Sequence, residues 1–438
     1  MKKIVFSMLL ALMIANLSIG QTNIEFKEFT LDNGLNVILH QDNTTPIVTT
    51  VVLYHVGSKN ENPERTGFAH FFEHLMFEGS ENIPRGEYFN IIESEGGTLN
   101  AFTSQDITLY YEVMPSNKLE LALYMESERM LHAKVDQVGV DTQRDVIKEE
   151  MKQVMDERPY GSWQRELPKR LFADLPYSWP VIGSAEHLDA STLEEFMMFY
   201  NTYYVPNNAT LSIAGDIDYE ETEALVRKYF SEIPMGKKEA NRPEANYEPL
   251  NAEVRDTIYD NIQLPAIMQG YRIPPKVDED MYALNLLSSY LLSGKSALMY
   301  KELVDKQQKA ITTFAFPLDL ENGGMFLMLA IANMGIDAGE LDKAMDEVID
   351  QVKTNGISDR DFEKLMNIKE NETVNGLASV TGIAQRLAQY KVFYGDANYI
   401  NKELERYRQV KPEDIKRVAN KYLDNNNRVI LTYLPQAN

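Results

Sequence analysis

The apolar positions of this chain change period several times, and each change marks an element. From Asn23 onward "IEFKEFTLDNGLNVILHQD" alternates like a strand, with an Asn33-Gly34 hairpin signal between apolar positions. "IVTTVVLYHVGS" is a second β-rich run ending in a Gly-Ser turn. A helix follows over "GFAHFFEHLMFEGS" (Gly67–Ser80), another near Gly86–Ser94, then a strand pair through "GTLNAFTSQDITLYYEVMP". Helical periodicity covers Asn117–Leu131, Asp141–Asp156 and Leu193–Tyr203, and "NNATLSIAGDID" closes the series as a turn and a strand.

The chain's end replays that close. "VKPEDIKRVANKYLDNNNRVILTYLP" has the order of "LDASTLEEFMMFYNTYYVPNNATLSIAGD": capped helix start, apolar-periodic helix with a late Tyr, Asn-rich turn, β-branched strand. A repeat of roughly 200 residues lies far beyond solenoid periods of roughly 20–50. The pattern predicts an α+β protein of two homologous α/β-sandwich domains, 21–234 and 254–438, joined by a polar linker over 235–253. A length of 438 residues also favours more than one core.

Residues 1–20 differ in kind. Lys2 and Lys3 precede an apolar run from Ile4 to Ala15, and Ser18-Ile19-Gly20 supplies small residues before Gln21. This is the pattern of a secretory signal peptide cleaved near Gly20, and the run is too short for a transmembrane helix. With 0 cysteines there is no disulfide framework and no lipid-modified cysteine at the cleavage point. A secreted or periplasmic mature chain with no stable membrane insertion is expected.

Composition narrows the function. Hydrophobic content of 44% and charged content of 25% belong to a globular protein. A net charge of −23 argues against nucleic-acid binding, which needs clustered Lys and Arg. It allows basic substrates, although a solvated acidic surface is the simpler reading. "SGKS" at Ser293–Ser296 is no phosphate loop, because Ser289 stands where that motif needs Gly. Sequons at Asn43, Asn208 and Asn371 carry no weight in a bacterial host.

The chemistry concentrates in one helix. All 6 histidines lie in the first half, and His70, Glu73 and His74 stand together among Phe68, Phe71, Phe72, Leu75, Met76 and Phe77. Helical residues four apart are offset by only about 40°, so His70 and His74 project from one face and can grip one metal ion. Zinc accepts imidazole nitrogen readily, and its catalytic sites use three protein ligands and a water. Glu73, beside His74, is placed to act as general base on that water. A carboxylate packed among phenylalanines for no purpose would be costly.

The order His-x-x-Glu-His is that of the inverzincins. With its surroundings it resembles the pitrilysin/insulinase-type zinc peptidases, especially the short branch containing mitochondrial processing peptidase. "VGSKNENPERTGFAHFFEHLMFEGS", "GGTLNAFTSQDITLYY", "QRDVIKEEMKQ" and "YYVPNNATLSIAGDID" occur in the family's order, so the likeness spans nearly the whole mature chain. The resemblance implies a zinc metalloendopeptidase with Zn2+ held by His70, His74 and Glu150. Periodicity agrees on the third ligand, since Ile147, Glu150, Met151 and Val154 share one stripe while Glu149 points elsewhere.

The resemblance further implies that unfolded peptides bind as an added β-strand beside "GGTLNAFTSQ", at Asn100, Ala101 and Phe102. It places Gln143 where better-known members carry a supporting glutamate, keeping hydrogen-bonding capacity but not charge. It also aligns Val304 and Ile311 with an Arg/Tyr pair that grips substrate opposite the zinc in self-sufficient members. Neither residue donates a side-chain hydrogen bond. A heterodimer with a homologous zinc-less subunit that supplies the pair is expected, or else a homodimer. The rival expectation is a non-catalytic assembly or binding subunit.

Overall fold

The computed structural model describes residues 23–173, 175–236, 243, 247–292 and 294–436. The expected signal peptide and its cleavage point near Gly20, and residues 237–242 and 244–246 of the expected linker, lie outside the described residues.

In the first half β1 (Lys27–Thr30), β2 (Asn36–Gln41), β3 (Ile47–Tyr54), β4 (Thr98–Thr103), β5 (Thr108–Pro115) and β6 (Ala209–Gly215) form one sheet of order β1-β2-β6-β3-β5-β4. In the second, β7 (Val254–Asp260), β8 (Ala266–Ile273), β9 (Ala310–Leu318), β10 (Gly324–Ala332) and β11 (Arg428–Pro435) form a sheet of order β7-β11-β8-β10-β9. Without β1 the two orders superimpose strand for strand. Each has a single parallel ladder, β2 with β6 and β7 with β11, and all other ladders are antiparallel. The replayed sequence ending is thus a replayed topology.

The helices of the first half are α1 (Phe68–Leu75), α2 (Glu87–Ser94), α3 (Leu119–His132), α4 (Gln137–Met151), α5 (Trp163–Leu171), α6 (Ala185–Ala190), α7 (Leu193–Tyr203) and α8 (Tyr219–Phe230). Those of the second are α9 (Asp280–Leu292), α10 (Ala338–Asn355), α11 (Asp359–Gly376), α12 (Val380–Tyr394), α13 (Glu403–Gln409) and α14 (Pro412–Tyr422). Both sheets are covered on both faces, which is why their central strands carry near-continuous apolar runs. In β3, Val48, Val52 and Tyr54 enter a core with α1, α3 and α7, while Val51 and Leu53 point the other way.

What meets that other face comes from the opposite half. Val380, Ile383, Ala384, Leu387 and Ala388 of α12 pack on Ile38, Val51, Leu53 and Leu109 of the first sheet. Reciprocally, Leu167 and Leu171 of α5 pack on Ala266, Met268, Leu327 and Leu431 of the second. Each half lends the other a helix.

Two local expectations change in detail. The Asn33-Gly34 hairpin forms with a wider loop: β1 pairs with β2 from Thr30↔Asn36, and Leu31 donates to Leu35 O at 2.9 Å. Asn33 stays in the turn, its Oδ1 accepting from Leu35 N at 3.2 Å, while its amide donates to Phe230 O and Ile233 O at 2.7 and 2.9 Å. The helix expected from Asp141 begins at Gln137, because Asp136 caps it by accepting from Gly139 N at 2.8 Å. Past Met151 it continues as a π-helix over Lys152–Asp156. Among the described residues no helix is long and apolar enough to cross a membrane.

Candidate metal centre

Helix α1 is fixed from its apolar side. Phe68 stacks on Phe196 with centroids 4.4 Å apart, Phe72 stacks on Phe199 at 5.8 Å, and Tyr110 donates its hydroxyl to Phe72 O at 3.0 Å. Its N-terminus is held by Glu61, whose carboxylate accepts from Gly67 N and Ala69 N, both at 2.8 Å, and from Trp179 Nε1 at 3.1 Å. Burial pushes the Glu61 carboxyl up to about 8 against those three donors. Gly67 starts the helix at φ +98°, and its backbone lies so near Gly183 (φ +77°) that a Cβ on Gly183 would stand 2.4 Å from Gly67 Cα.

The remaining face carries His70, Glu73 and His74. Glu150 of α4 meets it: Glu150 Oε2 lies 3.8 Å from His70 Nε2 and 3.5 Å from His74 Nε2. One ligand atom from each of His70, His74 and Glu150 falls within 4.8 Å of the other two. Ile147 and Met151 are buried on either side of Glu150 while Glu149 is exposed, so the stripe expected from periodicity is the face turned inward.

The electrostatics suit a cation. Burial, reinforced by His74, lowers the His70 pKa to about 4, so its imidazole is neutral and ligand-ready. Burial also opposes protonation of His74, but Glu150 outweighs it and raises that pKa. His74 in turn lowers the pKa of Glu150 and keeps it a carboxylate. His70 Nδ1 is buried without a hydrogen-bond partner among the described residues. Two imidazoles and a carboxylate converging from facing helices are zinc's donor set with one position left open, so the residues present fit that ion. Burial raises the Glu73 carboxyl above its ordinary value, with Thr103 and His74 pulling the other way.

Behind the ligands runs a chain of polar contacts. His74 Nδ1 lies 3.1 Å from Gln143 Oε1, and Gln143 Nε2 donates to Glu78. Glu78 pairs with Arg85, whose other nitrogen donates to Asp136 at 2.7 and 2.9 Å. Asp136 is the cap of α4, so the chain ties the histidine helix to the start of the helix bearing Glu150.

Strand β4, with Asn100, Ala101 and Phe102, is the open edge of the sheet and lies against α1. Ser104 N donates to Ile107 O at 2.8 Å, which sets the phase of the β4–β5 ladder. Three residues back, Ala101 opposite Tyr110 is a non-hydrogen-bonded position whose N–H faces the open side. Asn100 Oδ1 accepts that N–H at 2.8 Å, and the Phe102 ring is exposed.

A cavity of about 290 Å³ opens beside His70 and Glu150, reaching Thr103, Trp163, Trp179 and, from the second half, Phe316. Sequence reasoning passed over both tryptophans, Glu61 and Phe316. Only the presence of 2 Trp in the chain hinted at the first pair. Val304 and Ile311, expected at the Arg and Tyr positions of self-sufficient relatives, lie apart in character: Val304 packs half-buried against the second core, and Ile311 is exposed on β9.

A duplicated α+β chain presenting two histidines of one helix and a glutamate of another has the architecture of the zinc-peptidase class. The model of the insulinase family, peptidase family M16, matches residues 36–185, and that of the peptidase M16 inactive domain matches residues 190–369. The chain belongs to peptidase family M16. It is 30% identical over 396 residues to the zinc protease PqqE of Helicobacter pylori, covering 90% of this chain and 89% of the relative. It is 26% identical over 414 residues to a probable mitochondrial-processing peptidase subunit beta of Arabidopsis thaliana, covering 91% and 76%. A protease from Helicobacter pylori superimposes with a TM-score of 0.88 at 28% identity, covering 94% of this chain and 100% of that one. The periplasmic protease PqqL of Escherichia coli shares the fold at a TM-score of 0.74 and 21% identity, with 93% of this chain matching 47% of that one.

Proposed function

We propose that this chain is an exported zinc-dependent endopeptidase that cleaves extended, unfolded peptides laid along β4. One observation carries the proposal: His70, His74 and Glu150 converge within 4.8 Å, with Glu73 on the same helix face beside an open sheet edge. Zinc bound there supplies Lewis acidity at the scissile carbonyl and lowers the pKa of the attacking water.

The chain's own residues do the rest. Glu73, its carboxyl raised by burial, takes the proton of the attacking water and returns it to the leaving amine. Gln143 is a positioning residue: accepting from His74 Nδ1–H leaves Nε2 as the free lone pair on the ligand side. A peptide pairing with β4 displaces the Asn100 side chain from the Ala101 N–H and gains a backbone ladder indifferent to sequence. Phe102 then borders the strand's side chains.

The test is Glu73→Gln. The variant retains zinc, measured by atomic absorption, while hydrolysis of a quenched unfolded peptide falls roughly 10²-fold or more. Equal turnover would sink the proposal and favour a non-catalytic binding subunit.

We place the protein outside the cytoplasm on residues 1–20, and N-terminal sequencing of the exported form checks cleavage near Gly20. Val304 and Ile311 offer no polar grip opposite the zinc, and PqqL is about twice as long as the part this chain matches. Both favour pairing with a homologous zinc-less subunit, or failing that a second copy. Light scattering on the pure chain, with activity measured before and after adding such a partner, decides between a self-sufficient and a paired enzyme.

A further inference from the structure

A second built cavity lies in the second half and shares no lining residue with the one beside the histidines. It measures about 450 Å³ and is enclosed by α9, α11, α12 and α13. Sites for small molecules span roughly 300–1,000 Å³ and combine apolar walls with a few convergent polar groups. Here Phe393, Tyr394 and Tyr407 form walls, and the charged groups are Asp319, Lys276 and Lys369, with Arg386 and Glu403.

The charges are not resolved within the protein. Arg386 and Glu403 are 3.3 Å apart and satisfy one another. Asp319 Oδ1 is buried with no hydrogen-bond partner among the described residues. Burial raises the Asp319 carboxyl, while Lys276, a contact from Asn285 and Lys369 act the other way, yet neither lysine forms an ion pair with it among the described residues. Lys276 Nζ instead stands 4.7 Å from the Phe393 ring centroid, and Lys369 Nζ stands 4.4 Å from that of Tyr407 and 3.9 Å from Glu372. The site therefore holds an orphan acceptor and two cations parked over aromatic rings. A ligand carrying only an anion would leave Asp319 Oδ1 without a donor. One carrying only a cation would leave both lysines without a ligand anion.

We propose that this cavity binds a small zwitterion, a free amino acid or dipeptide with an apolar side chain. Its ammonium lies on Asp319, its carboxylate on Lys276 and Lys369, and its side chain among Phe393, Tyr394 and Tyr407. Such molecules are the end products of peptide hydrolysis. One wall is α12, the helix lent to the first sheet, so the ligand sits at the root of a brace between the halves. Binding itself does not depend on the chain's being a peptidase.

Calorimetry on the full chain with L-phenylalanine, its N-acetyl derivative and its amide tests the proposal. Phenylalanine binds one per chain, and each blocked form binds roughly tenfold or more weakly. Asp319→Asn lowers affinity for phenylalanine and abolishes its advantage over the N-acetyl form. Lys369→Met abolishes its advantage over the amide and serves if the first variant fails to fold. Absence of binding at millimolar phenylalanine, equal binding of blocked and free forms, or full affinity in both variants overturns the proposal. So does loss of binding in His70→Ala with Asp319 intact, which would place the ligand at the metal centre.

Discussion

Gln143 holds His74 with one atom of its amide and Glu78 with the other, so it does two jobs a carboxylate could not share. Outer partners of this kind typically tune metal affinity by roughly 10–100-fold. Gln143→Ala is expected to weaken zinc by about that factor while leaving the fold intact, as measured by competition with a chelating dye. Replacing it by Glu sets two carboxylates face to face at Glu78 and should bring no gain in affinity. At this scale the sequence was informative wherever a period applied. Spacing put His70 and His74 on one face, and the stripe of Ile147, Met151 and Val154 turned Glu150 toward them. Glu78, Arg85 and Asp136 follow no period, since they meet through folding between the α1–α2 connection and the start of α4, and nothing local announces them.

At the scale of elements, α1 depends on two backbones that touch. Gly183→Ala forces a Cβ into Gly67 Cα at a positive φ, and strain of this type costs roughly 1–3 kcal/mol. Urea unfolding should show that loss, together with weaker zinc binding, because the clash pushes at the start of the helix that carries both histidines. The open edge gives a separable prediction. Ala101→Pro removes one outward N–H from β4 without breaking the ladder to β5. One net hydrogen bond is worth roughly 0.5–1.5 kcal/mol, so KM for an unfolded peptide should rise roughly 2- to 10-fold with zinc content unchanged. Element existence was readable from alternation and helical period, but boundaries yielded to side-chain caps. Asp136 caps α4 so that it starts at Gln137, four residues before Asp141, and Asn33 bonds the end of α8 from within its turn.

Across the whole molecule, the halves are joined by a buried polar hub as well as by exchanged helices. Lys59, only 2% exposed, pairs with Asp106 at 2.8 Å and with Glu321 of the β9–β10 turn. His55 Nε2 reaches Glu321 at 2.8 Å, and Tyr177 donates to Asp106 at 2.7 Å. Burial would raise the Glu321 carboxyl, but His55 and Lys59 bring it down to about 2 from an ordinary 4.5. A depressed folded pKa means stability that is complete above 4.5 and lost as pH falls toward 2. Glu321→Gln should therefore melt below the wild type at pH 7, and the gap should close between pH 4.5 and 2 in parallel thermal scans. No period or motif foretold this hub, because Glu321 is separated from His55, Lys59 and Asp106 by more than two hundred positions.

The lending of α5 and α12 has a consequence for how the polypeptide must be made. Each half's apolar sheet face is covered by a helix encoded on the other side of the junction, so neither half is a finished folding unit. Covalent continuity between Gly236 and Tyr247 is then dispensable once both halves are present. Two fragments ending and beginning there should reassemble when co-expressed and co-purify as a non-covalent pair. Either fragment made alone should aggregate, with an uncovered sheet seeking the helix it was built to borrow.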